Sequence, residues 1–136
     1  MKFPTSATIT IGVYDAKIHV FAAKYGWTTS LVDQWLFHNY QMVADDSDND
    51  NSEAYGLTLK IKPLTFGIFL SKKAKLQTLA HECLHLTLGI MKDIGVNTIS
   101  EEEPFCYLHQ SIIYEVADFL KLKQRLDYKS PQQGLK

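Results

Sequence analysis

The stretch Thr78-Leu-Ala-His81-Glu82-Cys83-Leu-His85-Leu-Thr-Leu-Gly-Ile-Met-Lys-Asp-Ile-Gly95 decides how this chain is read. Its apolar residues recur at helical spacing. Leu79, Ala80, Cys83, Leu84 and Leu86 flank three polar residues, and none of the five is charged. A helix with that surface faces a core, which leaves His81, Glu82 and His85 as polar intruders. His81 and His85 are four residues apart, so a helix places both imidazoles on one face, one turn apart. A tetrahedral Zn²⁺ accepts two ring nitrogens in that arrangement. Glu82 lies beside the first histidine, where a carboxylate serves as a general base toward water rather than as a ligand. With ordinary residue usage, His-Glu-x-x-His arises by chance in about one chain of this size in a few hundred.

Working outward, the spacing predicts a helix from about Lys73 to Ile94, with Ser71 as a cap and Gly95 as its stop. Before it, Phe66 to Leu70 is a short apolar run and Gly56 to Lys62 alternates, with Leu57, Leu59 and Ile61 on one side. Both read as strands. Further upstream, Ile9, Ile11 and Val13, then Ile18, Val20 and Ala22, alternate about Asp15-Ala16 and predict a hairpin over Ala7–Ala22. Thr28, Thr29 and Ser30 offer caps for a helix reaching about Met42. The acidic stretch Ala44 to Ala54 reads as a solvated loop. It lacks the central glycine and fixed later glutamate of a calcium-binding EF-hand loop. Downstream, a second long helix is expected from Ser100 to about Leu126, with Pro104 in its first turn. The order predicts an α+β fold: a small, mostly antiparallel sheet packed on the motif helix and a second long C-terminal helix. One domain is expected over residues 1–128, followed by a flexible tail, 129–136.

A catalytic zinc needs a third protein ligand and an open position. A third histidine at the metzincin spacing is absent, because Leu88 and Met91 occupy the glycine and histidine positions. The cluster Glu101-Glu102-Glu103 opens the next helix and is the better source. Glu103 is preferred because it is nearest the helix body. Glu101, Glu102 and His109 stay open, and Cys106 could approach only if Glu103 did not. Glu103 also has capping-box spacing to Ser100, a competing use of the same carboxylate. Tyr107 lies four residues beyond Glu103, on the same helical face. It is the candidate second electrophile for the oxyanion of a peptide-hydrolysis intermediate, with core packing as the competing role. For the outer N–H groups of metal-bound imidazoles, Asp93, Glu115 and Asp118 are candidate carboxylates. Cys83 is read as core. Either of the two strands before the motif helix is a candidate edge for pairing with extended substrate.

From Thr78 to Leu120 the chain resembles small gluzincin-like HExxH metallopeptidases of the type encoded by bacteriophages and mobile elements. The matching stretches are TLAHECLHLTLGIMKDIG and SEEEPFCYLHQSI. The resemblance is firm over the C-terminal half and covers only element order before it. It implies a minimal zincin-like fold and a zinc-dependent peptidase. His81, His85 and Glu103 would be the zinc ligands, Glu82 the base, and a peptide or protein the substrate. Pro104 stands where the resemblance expects a small residue. The alternative is a zinc-binding or virion-associated protein that keeps the fold and binds a partner without catalysis.

Composition narrows the partners. With 14 Lys and Arg against 15 Asp and Glu, the net charge is -1. Nucleic acid is therefore not expected, since phosphate binding needs clustered cations. Lys60, Lys62, Lys72, Lys73 and Lys75 do gather near the two strands, as a solvated strand end or a preference for acidic substrate. Two cysteines make no disulfide framework. No apolar run reaches membrane-spanning length, and the N-terminus lacks the apolar core of a signal peptide. A cytoplasmic location, bacterial or in a phage-infected cell, is expected.

Overall fold

The computed structural model describes residues 2–43 and 55–122. The acidic stretch 44–54 and the tail 129–136 lie outside the described residues. The last helix, expected to reach about Leu126, ends at Phe119, and Lys121 just beyond it takes a left-handed φ of 55°. Strands β1 (Ala7–Ile11) and β2 (Ala16–Ala22) precede helix α1 (Thr29–Tyr40). Strands β3 (Gly56–Lys62) and β4 (Thr65–Leu70) come next, then helices α2 (Leu76–Asp93) and α3 (Glu102–Phe119).

The four strands form one sheet. The order is β1-β2-β4-β3. β1 and β2 form the expected antiparallel hairpin, with Ile9 opposite Ile18. Its turn runs through Gly12–Asp15, where Asp15 takes a left-handed φ of 53° and donates its N–H to the Gly12 carbonyl. β2 and β4 pair in parallel, with Ile18 beside Phe66 and Val20 beside Ile68. β4 is buried along its whole length, which its unbroken apolar run requires. It is therefore a central strand and is excluded as a substrate-pairing edge. β3, antiparallel to β4, keeps its alternation and forms one border of the sheet.

The sheet is covered on both faces. On one, Ile18, Val20, Phe66 and Ile68 pack against Leu79, Cys83, Leu86, Ile90 and Met91 of α2 and Leu108, Ile112 and Val116 of α3. On the other, Phe21 and Phe69 meet Trp27, Val32 and Leu36, with Leu57, Leu59 and Ile61 alongside. α1 thus forms a third layer that the order of elements alone does not assign to a face. Thr28 caps it by accepting a bond from the Leu31 N–H. Burying a side chain such as Leu or Ile contributes about 1.5–3 kcal/mol. Leu79, Leu86, Ile90 and Met91 together therefore hold α2 in place while it carries a polar motif.

α2 lies unusually close to the sheet at Gly89. A Cβ there would fall 2.7 Å from Phe66 Cε1. Its start differs from the expected one: Ser71 accepts from Lys73 N in the preceding turn, and Thr78 Oγ1 accepts from the Lys75 N–H at the helix mouth. Gly95, at a φ of 78°, ends the helix. Asp93 ties this end to the β3–β4 turn through Lys60 and through the Leu64 N–H at 2.9 Å. Among the described residues, no helix is long and apolar enough to cross a membrane.

Candidate metal centre

α2 turns one face outward at the motif. His81 and His85 are both exposed, and their rings meet edge to face with centroids 4.8 Å apart. The two Nε2 atoms converge to 3.2 Å. Two nitrogens bound to one tetrahedral zinc at about 2.0–2.1 Å would stand about 3.3–3.4 Å apart. The pair therefore fits two positions of a tetrahedral ion with little adjustment.

Glu82 sits differently. Helical geometry turns it toward β3, and its side chain is 10% exposed. Thr58, on β3, donates its hydroxyl to Glu82 Oε1 at 2.7 Å. The Thr58 oxygen also lies 3.2 Å from the Glu82 carbonyl oxygen. The second carboxylate oxygen, Oε2, is 4.0 Å from His81 Nε2. One carboxylate oxygen is thus tied to the edge strand and the other is turned toward the histidine pair. Gly56 makes room for this: a Cβ there would lie 3.0 Å from Glu82 Cγ and 3.1 Å from Thr78 Cγ2.

The remaining expected site residues lie apart from this pair. Among the described residues, no group of three His, Cys, Asp or Glu side chains is gathered to hold a metal. Glu103 is accordingly not brought to His81 and His85, and Glu101, Glu102 and Glu103 are all exposed. α3 opens at Glu102 with Glu101 as its cap, so the Ser100–Glu103 capping box is not formed. Ser100 Oγ turns back toward the Asn97 carbonyl instead. Tyr107 is 67% exposed. It shares an outward stripe of α3 with Glu103, Gln110 and Tyr114, all exposed. Neither a core role nor a contact with the histidine pair is realised for it here. His109, half-buried under Phe105, lies with Nε2 3.4 Å from the Ala80 carbonyl oxygen, on the side of α3 that faces α2.

Asp93 is engaged at the far end of α2. The Leu64 N–H and then Lys60 hold its carboxyl below the usual range. That places it outside the role of partner to a ligand histidine, and it removes Lys60 from the free lysines. Glu115 and Asp118 line a crevice against β1. Cys83 is fully buried in the core; burial first, and the Glu82 charge second, push its thiol up to about 12. Cys106 is exposed.

Thr58 and Gly56 are the site residues that sequence reasoning missed. The signal was present in β3: Thr58 is out of phase with Leu57, Leu59 and Ile61. Only the packing of α2 on that side of the strand gives the hydroxyl a partner.

No family model, curated protein or solved structure matches the chain significantly.

Proposed function

We propose that the protein is a zinc-dependent peptidase of minimal zincin-like fold that hydrolyses peptide bonds with Glu82 as general base. The observation that carries this reading is the convergence of His81 and His85 Nε2 to 3.2 Å beside a carboxylate whose free oxygen faces them. Zinc held there would polarise a carbonyl and bring the pKa of water toward about 7. His81 and His85 supply two nitrogen ligands. Glu82 takes a proton from water through Oε2 and returns it to the leaving amine, so one water is consumed per bond cleaved. β3 supports an extended substrate, because among the described residues it pairs on one side only.

The third ligand is assigned to the glutamate cluster, and within it to Glu102 rather than Glu103. Glu102, Phe105, His109 and Ile112 recur at helical spacing, and the last three turn inward toward α2 and the core. Glu103 belongs to the outward stripe of Tyr107.

The test is metal analysis with peptide-library cleavage on the purified chain and on Glu82→Gln. One zinc per chain is expected in both. Cleavage should fall by about 10²–10⁴-fold in the variant, the usual contribution of a general base. Stoichiometric zinc with no cleavage by the unaltered protein would favour the partner-binding alternative. Failure to bind zinc would sink both.

A further inference from the structure

We propose that Thr58 is a positioning residue for the general base: its hydroxyl fixes Glu82 so that a single carboxylate oxygen faces the histidine pair. This rests on the peptidase reading above and deepens it. A glutamate side chain has three rotatable bonds and loses activity as a base when its carboxylate wanders by a fraction of an ångström. Within α2, the approach of His81 Nε2 to Glu82 Oε2 is 4.0 Å, beyond hydrogen-bond reach. The restraint comes from the sheet. Thr58 Oγ1 is 2.7 Å from Oε1, while Oε2 lies 4.0 Å from His81 Nε2.

The element that carries the hydroxyl is fixed in turn. Thr58 is in register with Ile68 of β4, which is fully buried in the sheet centre. Its β-branched side chain has few rotamers of its own. Gly56, two residues earlier on the same side of β3, closes against Glu82 Cγ, so a larger residue there would displace the carboxylate. Strand and helix therefore set the base jointly: Gly56 gives it room and Thr58 gives it direction. The same strand is the one an extended substrate would lie along, so base and substrate share one frame.

The experiment compares Thr58→Val, which keeps the shape and removes the hydroxyl, with Thr58→Ser, which keeps the hydroxyl. Both are made in the full, zinc-loaded chain and in the Glu82→Gln background. For Thr58→Val, kcat should fall about 10- to 100-fold, part of what a general base contributes. KM and zinc affinity, the latter read by chelator competition, should stay within about twofold, the pattern of an interaction realised in the transition state. Thr58→Ser should restore kcat to within about threefold of the unaltered protein. Thr58→Val should cost nothing further once Glu82 is glutamine, as coupled residues require.

Crystal structures supply a readout independent of turnover. Thr58→Val should show Glu82 in more than one orientation with His81 and His85 unmoved. A single, unchanged Glu82 orientation in that variant would overturn the proposal, as would a loss that serine does not restore. If the unaltered protein binds zinc and cleaves nothing, the peptidase reading fails, and the crystallographic arm alone decides the role of Thr58.

Discussion

Adjacent residues in the first turn of α3 point about 100° apart, and that separates two carboxylates the chain presents side by side. Glu102 and Glu103 are both exposed. They differ in the residues that share their helical stripes. Glu102 leads into Phe105 and His109, whose Nε2 is within 3.4 Å of the carbonyl of Ala80, the residue before His81. Glu103 leads into Tyr107, two-thirds exposed. Glu102 therefore lies on the stripe that leads toward α2, and Glu103 on the one that leads outward. Loss of a ligand weakens a zinc site more than the roughly 10- to 100-fold that loss of a ligand's hydrogen-bond partner costs. Glu102→Ala is therefore expected to raise the zinc Kd by at least about tenfold, and Glu103→Ala to leave it within about twofold. Competition with a chromophoric chelator measures both. The reverse order would return the ligand to Glu103. The glutamate cluster is legible in the sequence, where proximity to the helix body favours Glu103; which stripe of the helix meets α2 is set by tertiary packing that no local period reports.

At the scale of elements, strand and helix positions are legible wherever the apolar period is unbroken. Gly56–Lys62 is the clearest case, and Thr65–Leu70 differs from its expected bounds by one residue. Their order in the sheet is harder to read. Part of it is carried by the patterns: the continuous run Phe66–Leu70 needs cover on both faces, while the alternation of β3 tolerates a border. The parallel β2–β4 pair is set by contacts more than 40 residues apart in the chain, which no local period reports. The close seat of α2 on the sheet is equally hidden, although Gly89 marks it. Alanine there would gain about 1 kcal/mol in helix propensity. Its Cβ would meet the Phe66 ring at 2.7 and 2.9 Å, and overpacking of a core costs about 1–3 kcal/mol. Overpacking wins because Phe66 is itself buried in the sheet and has nowhere to move. Gly89→Ala is expected to lower the Tm by about 3–6 °C. Adding Phe66→Leu should recover part of that loss in the same thermal melt. An unchanged or raised Tm for Gly89→Ala would show that the helix can lift off the sheet without loss.

Across the whole molecule, the two faces of the sheet divide the labour. The α2–α3 face carries the motif, and the α1 face carries a buried histidine outside any motif. His19 on β2 is 8% exposed. Its Nδ1 lies 3.0 Å from Thr8 Oγ1 on β1 and its Nε2 2.8 Å from the Tyr40 hydroxyl at the end of α1. Its ring packs on Trp35 at 4.8 Å. One imidazole thus joins two strands and the third layer. Both hydroxyls can donate or accept, so the neutral ring is fully satisfied. Burial, and secondarily the charge of Lys17, lower its pKa from the ordinary 6.5. Below pH 6.5 the unfolded chain takes up a proton that the folded chain resists, so protons favour unfolding. The stability contributed by neutral His19 is fully present above about pH 6.5. It is lost progressively as the pH falls toward the lowered folded value. Asp93, held low by Leu64 and Lys60, loses its contribution only in the more acidic carboxylate range, so the two effects separate. The urea midpoint should therefore fall between about pH 7.5 and about pH 5.5 in the unaltered chain. It should fall distinctly less in His19→Gln, which keeps a polar side chain between the two hydroxyls and has no proton to gain. Equal falls in the two proteins would mean that the acid sensitivity of the fold is set on the motif face and not by the tie between β1, β2 and α1.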